Sequence, residues 1–522
     1  MLPWPLLALL ALGCGRGGFN GHAASRGSTL TYALTSKNRT IDPGKVNDAA
    51  GYELFQNVSE GLVMYDSEFR VVPWLAESWD VKDGGRTYVF HVRKGVRFTN
   101  GRELVADDFR WNWERVLAPS FGFPDATMYF AMIQGANDYA TGKAKSISGV
   151  TVLDDHTLRV RLTAPRWYFL NWMSGVQTGV LAREAIGKGE AKTPAQIVGT
   201  GPYRLSRFTP DQEVVLEANR DYWHGRPKVD RIVRPIITDS AARLSKFETG
   251  ELDYLEVGKS EVAGLMQNAS LKDRAHTLNL NHTSYIPLDE KAYPPFRNVH
   301  VRRAFAMAVN RSHLAHDLLP GQRKANGYVP PEVPGYRVVE SGLPYDPAAS
   351  RRELAAGGYP GGRGLPPVEF AYSTDGADYR IVAEAVVGDL RANLGVDAKT
   401  RAMEWGALLD RMNRGELPMC YTGWFGMSPQ DYLSEQFTSH GGSNKQGFRD
   451  SQIDVFCAQA DVEQDPKRRL ELYEQADQRA AELAARIPLM YGVQIYLLAP
   501  RVRRIPLNAS GVMPLFDAEV EK

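Results

Sequence analysis

A chain of 522 residues is longer than one hydrophobic core usually organises, so two or three domains are expected. Hydrophobic residues make up 43% and charged residues 24%, the balance of a folded globular protein rather than a disordered one. The 62 basic side chains against 61 acidic ones leave a net charge of +1, which argues against a nucleic-acid partner, since phosphate neutralisation needs clustered excess Lys and Arg. The most basic run, "RVRR" at 501–504, reads as solvated surface.

The chain starts with "MLPWPLLALLALGC", whose apolar stretch Leu6 to Leu12 falls short of the roughly 20 residues that span a bilayer. It reads as an export signal, and its small residue before Cys14 resembles the lipidation site of a bacterial lipoprotein. Two features depart from that pattern: Ala11 stands where Leu is usual, and the first residues carry no Lys or Arg. The Gly/Ser-rich stretch after Cys14, to residue 27, suits a flexible tether. Cys420 and Cys457 are the only other cysteines, and spacing alone leaves open whether they pair. With no CxxC and no Cys/His cluster, neither a metal site nor a cofactor is expected.

Farther along, "TYVFHVRKGVRFTNG" (87–101) alternates Tyr88, Phe90 and Val92 on one face of a predicted strand, before a turn at Asn100-Gly101. A helix is predicted over "ADDFRWNWERVL" (106–117), with Asp107 and Asp108 in its first turn and Phe109, Trp113, Val116 and Leu117 forming an apolar stripe. "EVVLEANRDYW" (213–223) predicts a strand running into a turn, and "VHVRRAFAMAVNRSHLAHDLL" (299–319) predicts one continuous helix. The stretch 365–395 predicts a strand and then a helix stopped by Gly395, and "DAKTRAME" predicts the next strand. This strand–helix–strand order implies a parallel sheet in the second half. Residues 466–498 predict a long amphipathic helix followed by a strand. The class is mixed α/β in more than one lobe.

None of the specific catalytic patterns occurs: no HExxH, GxSxG, GxxxxGK[ST], post-strand GxGxxG or EF-hand loop. His156 stands alone in a predicted hairpin turn, and the adjacent pairs Asp107-Asp108 and Asp154-Asp155 do not face one another as acid/base carboxylates do. The expectation is a protein that is not an enzyme and has no catalytic residues. Aromatic residues are plentiful instead, with 10 Trp, 23 Tyr and 20 Phe. Trp405 and Trp424 lie at or just beyond predicted strand ends, where open α/β sheets place their ligands.

Seven blocks in order then resemble the oligopeptide/dipeptide-type extracellular solute-binding proteins of ABC importers (family 5). They are 71–117, "SGVTVLDDHTLRVRLTAP" (148–165), "VGTGPYRLSRF" (198–208), "VVLEANRDYWHGRPKVDRIVRPII" (214–237), "FETGELDYL" (247–255), "PPFRNVHVRRAFAMAVNR" (294–311) and "RGELPMCYTGW" (414–424). The resemblance implies a two-lobed Venus-flytrap fold of the periplasmic-binding-protein type, with an extra domain inserted in the first lobe. Lobe I would comprise 28–48, 190–278 and 492–522, the inserted domain 49–189 and lobe II 279–491. It implies a monomer on the extracytoplasmic face, in the periplasm or on the cell membrane through a lipid anchor at Cys14, delivering a peptide or peptide-like solute to permease subunits. Nothing in it calls for a cofactor or for nucleic acid.

By the same resemblance, Tyr129 and Trp405 match pocket aromatics, Thr422 and Gly423 lie on a strand that pairs with an extended ligand, and Trp424 marks the ligand's amino end. Peptide binders of the family carry an aspartate three residues after this tryptophan, receiving the α-ammonium; here the position is Met427. Two readings stay open. Either Met427 marks a larger or more apolar ligand, such as an oligosaccharide, opine or metal chelate, or Met427 is simply buried and the ligand binds elsewhere. Asp431 is the carboxylate that would recover the ammonium if the turn folds back. A secreted hydrolase and a ligand-sensing receptor domain are the remote alternatives.

Overall fold

Two strands of 13 residues, Ala275–Pro287 and Arg486–Leu498, run antiparallel along each other in the middle of one sheet. The computed structural model describes residues 28–36, 38, 40–337, 342–511 and 513–521; Cys14 and the export and tether segments lie outside them. Arg486–Leu498 is buried along nearly its whole length, and its apolar sequence "RIPLMYGVQIYLL" is that of a central strand covered on both faces. The sheet order is Tyr254–Val257, Arg486–Leu498, Ala275–Pro287 and Thr422–Phe425, so Thr422–Phe425 forms one edge. Pairing is interrupted between the partners Asn279/Val493 and Thr283/Tyr491. Here Leu280, Asn281 and His282 bulge against the single residue Gly492, where an added Cβ would lie 2.9 Å from the Cβ of His282.

In the first lobe the sheet order is Thr29–Thr31, Arg231–Pro235, Glu213–Ala218 and Tyr203–Thr209. Between its first and later strands the chain builds a separate four-stranded antiparallel sheet, in the order Ala76–Lys82, Thr87–Val92, Thr157–Arg161 and Val150–Asp154. The predicted strand at 87 is buried along its length except at His91, and Tyr88 packs on Phe169 at 4.8 Å. The helix Ala106–Leu117 forms where its pattern predicts, with Phe109, Trp113, Val116 and Leu117 all buried. Asp108 caps it by accepting from the Val105 amide at 3.0 Å, while Asp107 pairs with Arg110 and Arg183, so both aspartates are structural. His156 sits in the tight turn between Val150–Asp154 and Thr157–Arg161.

The second lobe holds the expected parallel sheet, with Val368–Ser373 between Ala398–Met403 and Met419–Cys420. Its helix Ala377–Leu394 buries Val382, Val386, Val387, Leu390 and Leu394, and ends at Gly395 with φ +67°, a left-handed cap that favours glycine. The predicted helix over 299–319 is two pieces. Val299–Ala308 stops because Val309 turns extended, and Asn310 restarts a six-residue π-turn, His313–Leu318, by accepting from the His313 amide. The long helix Pro466–Glu482 packs on Ser451–Val462. Cys420 and Cys457 are free and buried in separate apolar clusters.

A buried ion pair fastens the inserted sheet to the first lobe. Arg115 donates to both oxygens of Asp42 at 2.8 and 3.0 Å, and Asp42 also accepts from the amides of Gly44 and Ala191. Removing one partner strands the other without solvent. Asp42→Ala should destabilise the protein by about 3 kcal/mol, read as a lower urea midpoint by tryptophan fluorescence; an unchanged midpoint would show the pair to be energetically neutral.

Candidate functional site

Between the lobes, the strand Thr422–Phe425 leads through Gly426 and Met427 into the helix Pro429–Phe437. Ser428 precedes the helix, Pro429 opens it, and Asp431 falls three residues after Ser428. This is the S-x-x-acid pattern that turns a side chain back over a helix start. Asp431 does turn back: it accepts from the Met427 amide at 2.8 Å and from the Trp424 indole at 3.3 Å. Tyr432 reinforces the turn, accepting from the Gly426 amide and donating to the Asn281 carbonyl in the bulge between the lobes.

Asp431 is 2% exposed, and among the described residues no basic side chain forms an ion pair with it. Burial pushes its carboxyl up to about 7, against the two donated hydrogen bonds that favour the charged form; nearby Glu435 adds to the rise. Across the cleft, burial raises the pKa values of Tyr52, Tyr65 and Tyr129, and the charge of Asp431 adds to each rise. The cause of most of that rise is burial, to about 12 at Tyr52, so all three are neutral phenols. Two of them form a directed chain. Tyr52 donates to Gln177 at 2.8 Å, and Gln177 donates to the Val46 carbonyl. The 3.4 Å contact between the two phenols is therefore donated by Tyr129, which leaves the Tyr129 oxygen free to accept.

Met427 faces the inserted domain. It is half-buried against that domain's core; its carbonyl accepts from Asn171 at 3.4 Å and its sulfur lies 4.0 Å from the Ser174 hydroxyl. Trp172 adds a 3.4 Å hydrogen bond to Gln430. Farther out, Trp167 meets Tyr473 edge-on at 6.2 Å and carries the Arg469 guanidinium 4.3 Å from its ring. The lobes are thus in direct contact over both Met427 and Trp167.

An ion pair lies near Tyr421, the residue before Thr422–Phe425. Lys259 of the first lobe reaches Asp378 of the second at 3.6 Å, beside the paired rings of Tyr379 and Tyr421. His282 is cross-strand from Phe425, stacks on it at 4.5 Å, and crowds Gly423 so closely that any Cβ there would strike its ring. Burial and Lys259 together lower the His282 pKa to about 3, so this imidazole is neutral.

Of the expected site residues, Tyr129, Thr422, Gly423, Trp424, Met427 and Asp431 come together in one region. Trp405 opens the helix Trp405–Asn413 and packs half-buried against the cluster of Ala371, Leu408, Leu417 and Cys420, the residue before Tyr421. Tyr52, Tyr65 and Lys259 were not anticipated. Each sits in a different segment, and no local pattern marks them; the S-x-x-D start at 428–431 was the one signal available for Asp431.

Residues 70–445 match the family model for bacterial extracellular solute-binding proteins, family 5. The di/tripeptide-binding protein 3 of Pseudomonas aeruginosa is 30% identical, over 93% of this chain and 93% of its own length. The dipeptide-binding protein DppE of Bacillus subtilis is 27% identical, over 98% and 96%. The murein tripeptide-binding protein MppA of Escherichia coli superposes with a TM-score of 0.85 at 24% identity, over 95% of this chain and 99% of that one. The fold and cleft define a two-lobed solute-binding protein. The chain belongs to the bacterial extracellular solute-binding proteins of family 5. Against the unliganded open form of MppA the TM-score is 0.73, at 23% identity.

The carboxyl of Asp431 prefers its proton in this arrangement and loses that preference on unfolding, where an aspartate titrates near 4. Its contribution to ligand-free stability is therefore present below pH 4 and lost as pH rises to 7. Asp461 and Asp477, each pushed by burial to about 6, act in the same direction. The melting temperature of the ligand-free protein should fall from pH 5 to pH 7, and Asp431→Asn should flatten that fall without abolishing it. An identical pH profile for the variant would show that Asp431 is already ionised.

Proposed function

We propose that this chain is the substrate-binding protein of an ABC importer and encloses a short peptide between its lobes, by the amino end at Asp431. The observation that carries this reading is a buried carboxylate with no basic partner among the described residues, near neutral phenols of the opposite lobe. A carboxylate and neutral hydroxyls accept the three N–H bonds of a primary ammonium, which supplies the missing charge. Thr422–Phe425 is a sheet edge, so an extended ligand gains main-chain hydrogen bonds there whatever its side chains. At about 3.3 Å per residue that edge is roughly 13 Å long. The reading needs no bond to be made or broken, which agrees with the absence of catalytic motifs.

In this proposal lobe I is 28–48, 190–278 and 492–522, the inserted domain is 49–189, and lobe II is 279–491. The bulge at 280–282 is where the connecting strands flex, because a bulge is the point at which a paired ladder bends. Ligand contacts from both lobes then shift the population toward closure. The protein works as a monomer on the extracytoplasmic face, tethered by a lipid on Cys14. Cys14→Ser should move it from the membrane fraction to the soluble fraction; retention in the membrane fraction rejects the anchor.

Mass spectrometry of the molecules released on denaturation tests the ligand class. Short peptides with free amino termini are expected, and a single non-peptide compound overturns the assignment. Removing one partner of a buried charge pair costs about 2–5 kcal/mol. Asp431→Asn should therefore weaken binding of those peptides, by calorimetry, at least about 30-fold; binding within twofold of the wild type removes Asp431 from the site.

A further inference from the structure

We infer, on the lobe division and the ligand reading proposed above, that Trp167 is a positioning residue: it docks from the inserted domain into a seat on the second lobe and, through Asp461, steadies the helix that carries Asp431. Trp167 packs half-buried against two apolar clusters at once, that of the inserted domain, with Tyr168 and Phe169, and that of the second lobe, with Leu433, Leu472 and Tyr473. Its own domain fixes how it is presented. The Arg166 carbonyl accepts from the Tyr88 hydroxyl at 3.4 Å and from the Phe169 amide at 3.1 Å, and Tyr168 meets the indole edge-on at 5.7 Å.

The seat is held by the second lobe's own hydrogen bonds. Arg469, in the first turn of Pro466–Glu482, donates to the carbonyls of Glu463 and Gln464 at 3.0 and 3.5 Å, with its guanidinium 4.3 Å from the Trp167 ring. Tyr473 stands one turn later on the same helix face and meets the indole edge-on at 6.2 Å. Of the aromatic side chains, indole attracts a cation over its face most strongly. Beside it, the turn at Gly85 lies so close to Gln464 that an added Cβ would sit 3.2 Å from its side-chain oxygen, so the inserted sheet and the 463–464 loop abut at a second point.

From the seat, hydrogen bonds run on to the ligand site. The Tyr473 hydroxyl donates to Asp461 at 2.7 Å, and the same carboxylate oxygen accepts from the Ser434 hydroxyl at 2.7 Å. Ser434 lies three residues after Asp431 on the helix Pro429–Phe437, whose Tyr432, Leu433 and Phe437 share an apolar cluster with Tyr473. A displacement of Tyr473 is therefore passed to the segment that carries Asp431 through contiguous contacts. Trp172 and Asn171 touch that segment directly, at Gln430 and Met427, whereas Trp167 acts on it through Tyr473.

Amide hydrogen exchange of the ligand-free protein tests the seat. Trp167→Ala should raise exchange across the cleft, in 463–473 and 429–437, and Arg469→Ala should raise it in 165–172. The second variant keeps the test open should the first fail to fold. Changes confined to the substituted residue's own domain overturn the inference and assign Trp167 to local packing. Release of bound ligand, followed by stopped flow with unprotected di- and tripeptides, tests the positioning role. Trp167→Ala should speed release about fivefold with association nearly unchanged, and Trp167→Phe should restore part of the loss. An unchanged release rate overturns that role. If no peptide in the panel binds the wild type, the peptide reading falls, while the exchange pattern still decides for or against the seat.

Discussion

A carboxylate withdrawn from water has to gather donors, meet a cation or hold a proton. Asp431 has two donors and, among the described residues, no basic side chain paired with it, so its charge is the unresolved quantity in this structure. In the proposed reading, the ammonium of a ligand makes the remaining choice. The facing phenols are too buried to ionise and therefore offer neutral oxygens rather than a competing anion. The Tyr129–Tyr52–Gln177 chain ends on a backbone carbonyl, so the direction of its hydrogen bonds is set before any ligand arrives.

The same constraint explains the division of labour between Met427 and Asp431. A carboxylate at 427 would point into the packing of the inserted domain, where Met427 now lies against an apolar core and Ser174. A flexible thioether fills that contact at little cost. The anionic group stands four residues later, inside the first turn of a helix whose start lets it reach back. Closure surface and charge recognition, which one residue would otherwise combine, are separated along the chain. Contacts at Trp167 and at Lys259 give the lobes further points of attachment, so their relative position is defined from several sides.

Much of this architecture was legible because it follows from short-range rules. The helix Ala106–Leu117 and the strand–helix–strand unit ending at Met403 carry apolar periods that match their burial, and Gly395 sits where only a left-handed cap is needed. The single helix expected over 299–319 failed because amphipathic period does not register that Val309 turns extended and Asn310 caps a second start. Trp405 follows a strand end as expected, and its packing partners Ala371, Leu417 and Cys420 come from segments that no local pattern links to it.

By itself the sequence determined the fold class, the order of its blocks and the location of an aromatic strand at 421–425, because those depend on local propensity and hydrophobic period. It also contained the helix start that aims Asp431 backward. Only the tertiary structure decided what Asp431 faces. Tyr52, Tyr65, Tyr129 and Lys259 reach the cleft from four separate segments, and the ionisation of the aspartate is set by the water those segments exclude. Solvation is a property of the assembled surfaces, and no stretch of chain encodes it alone.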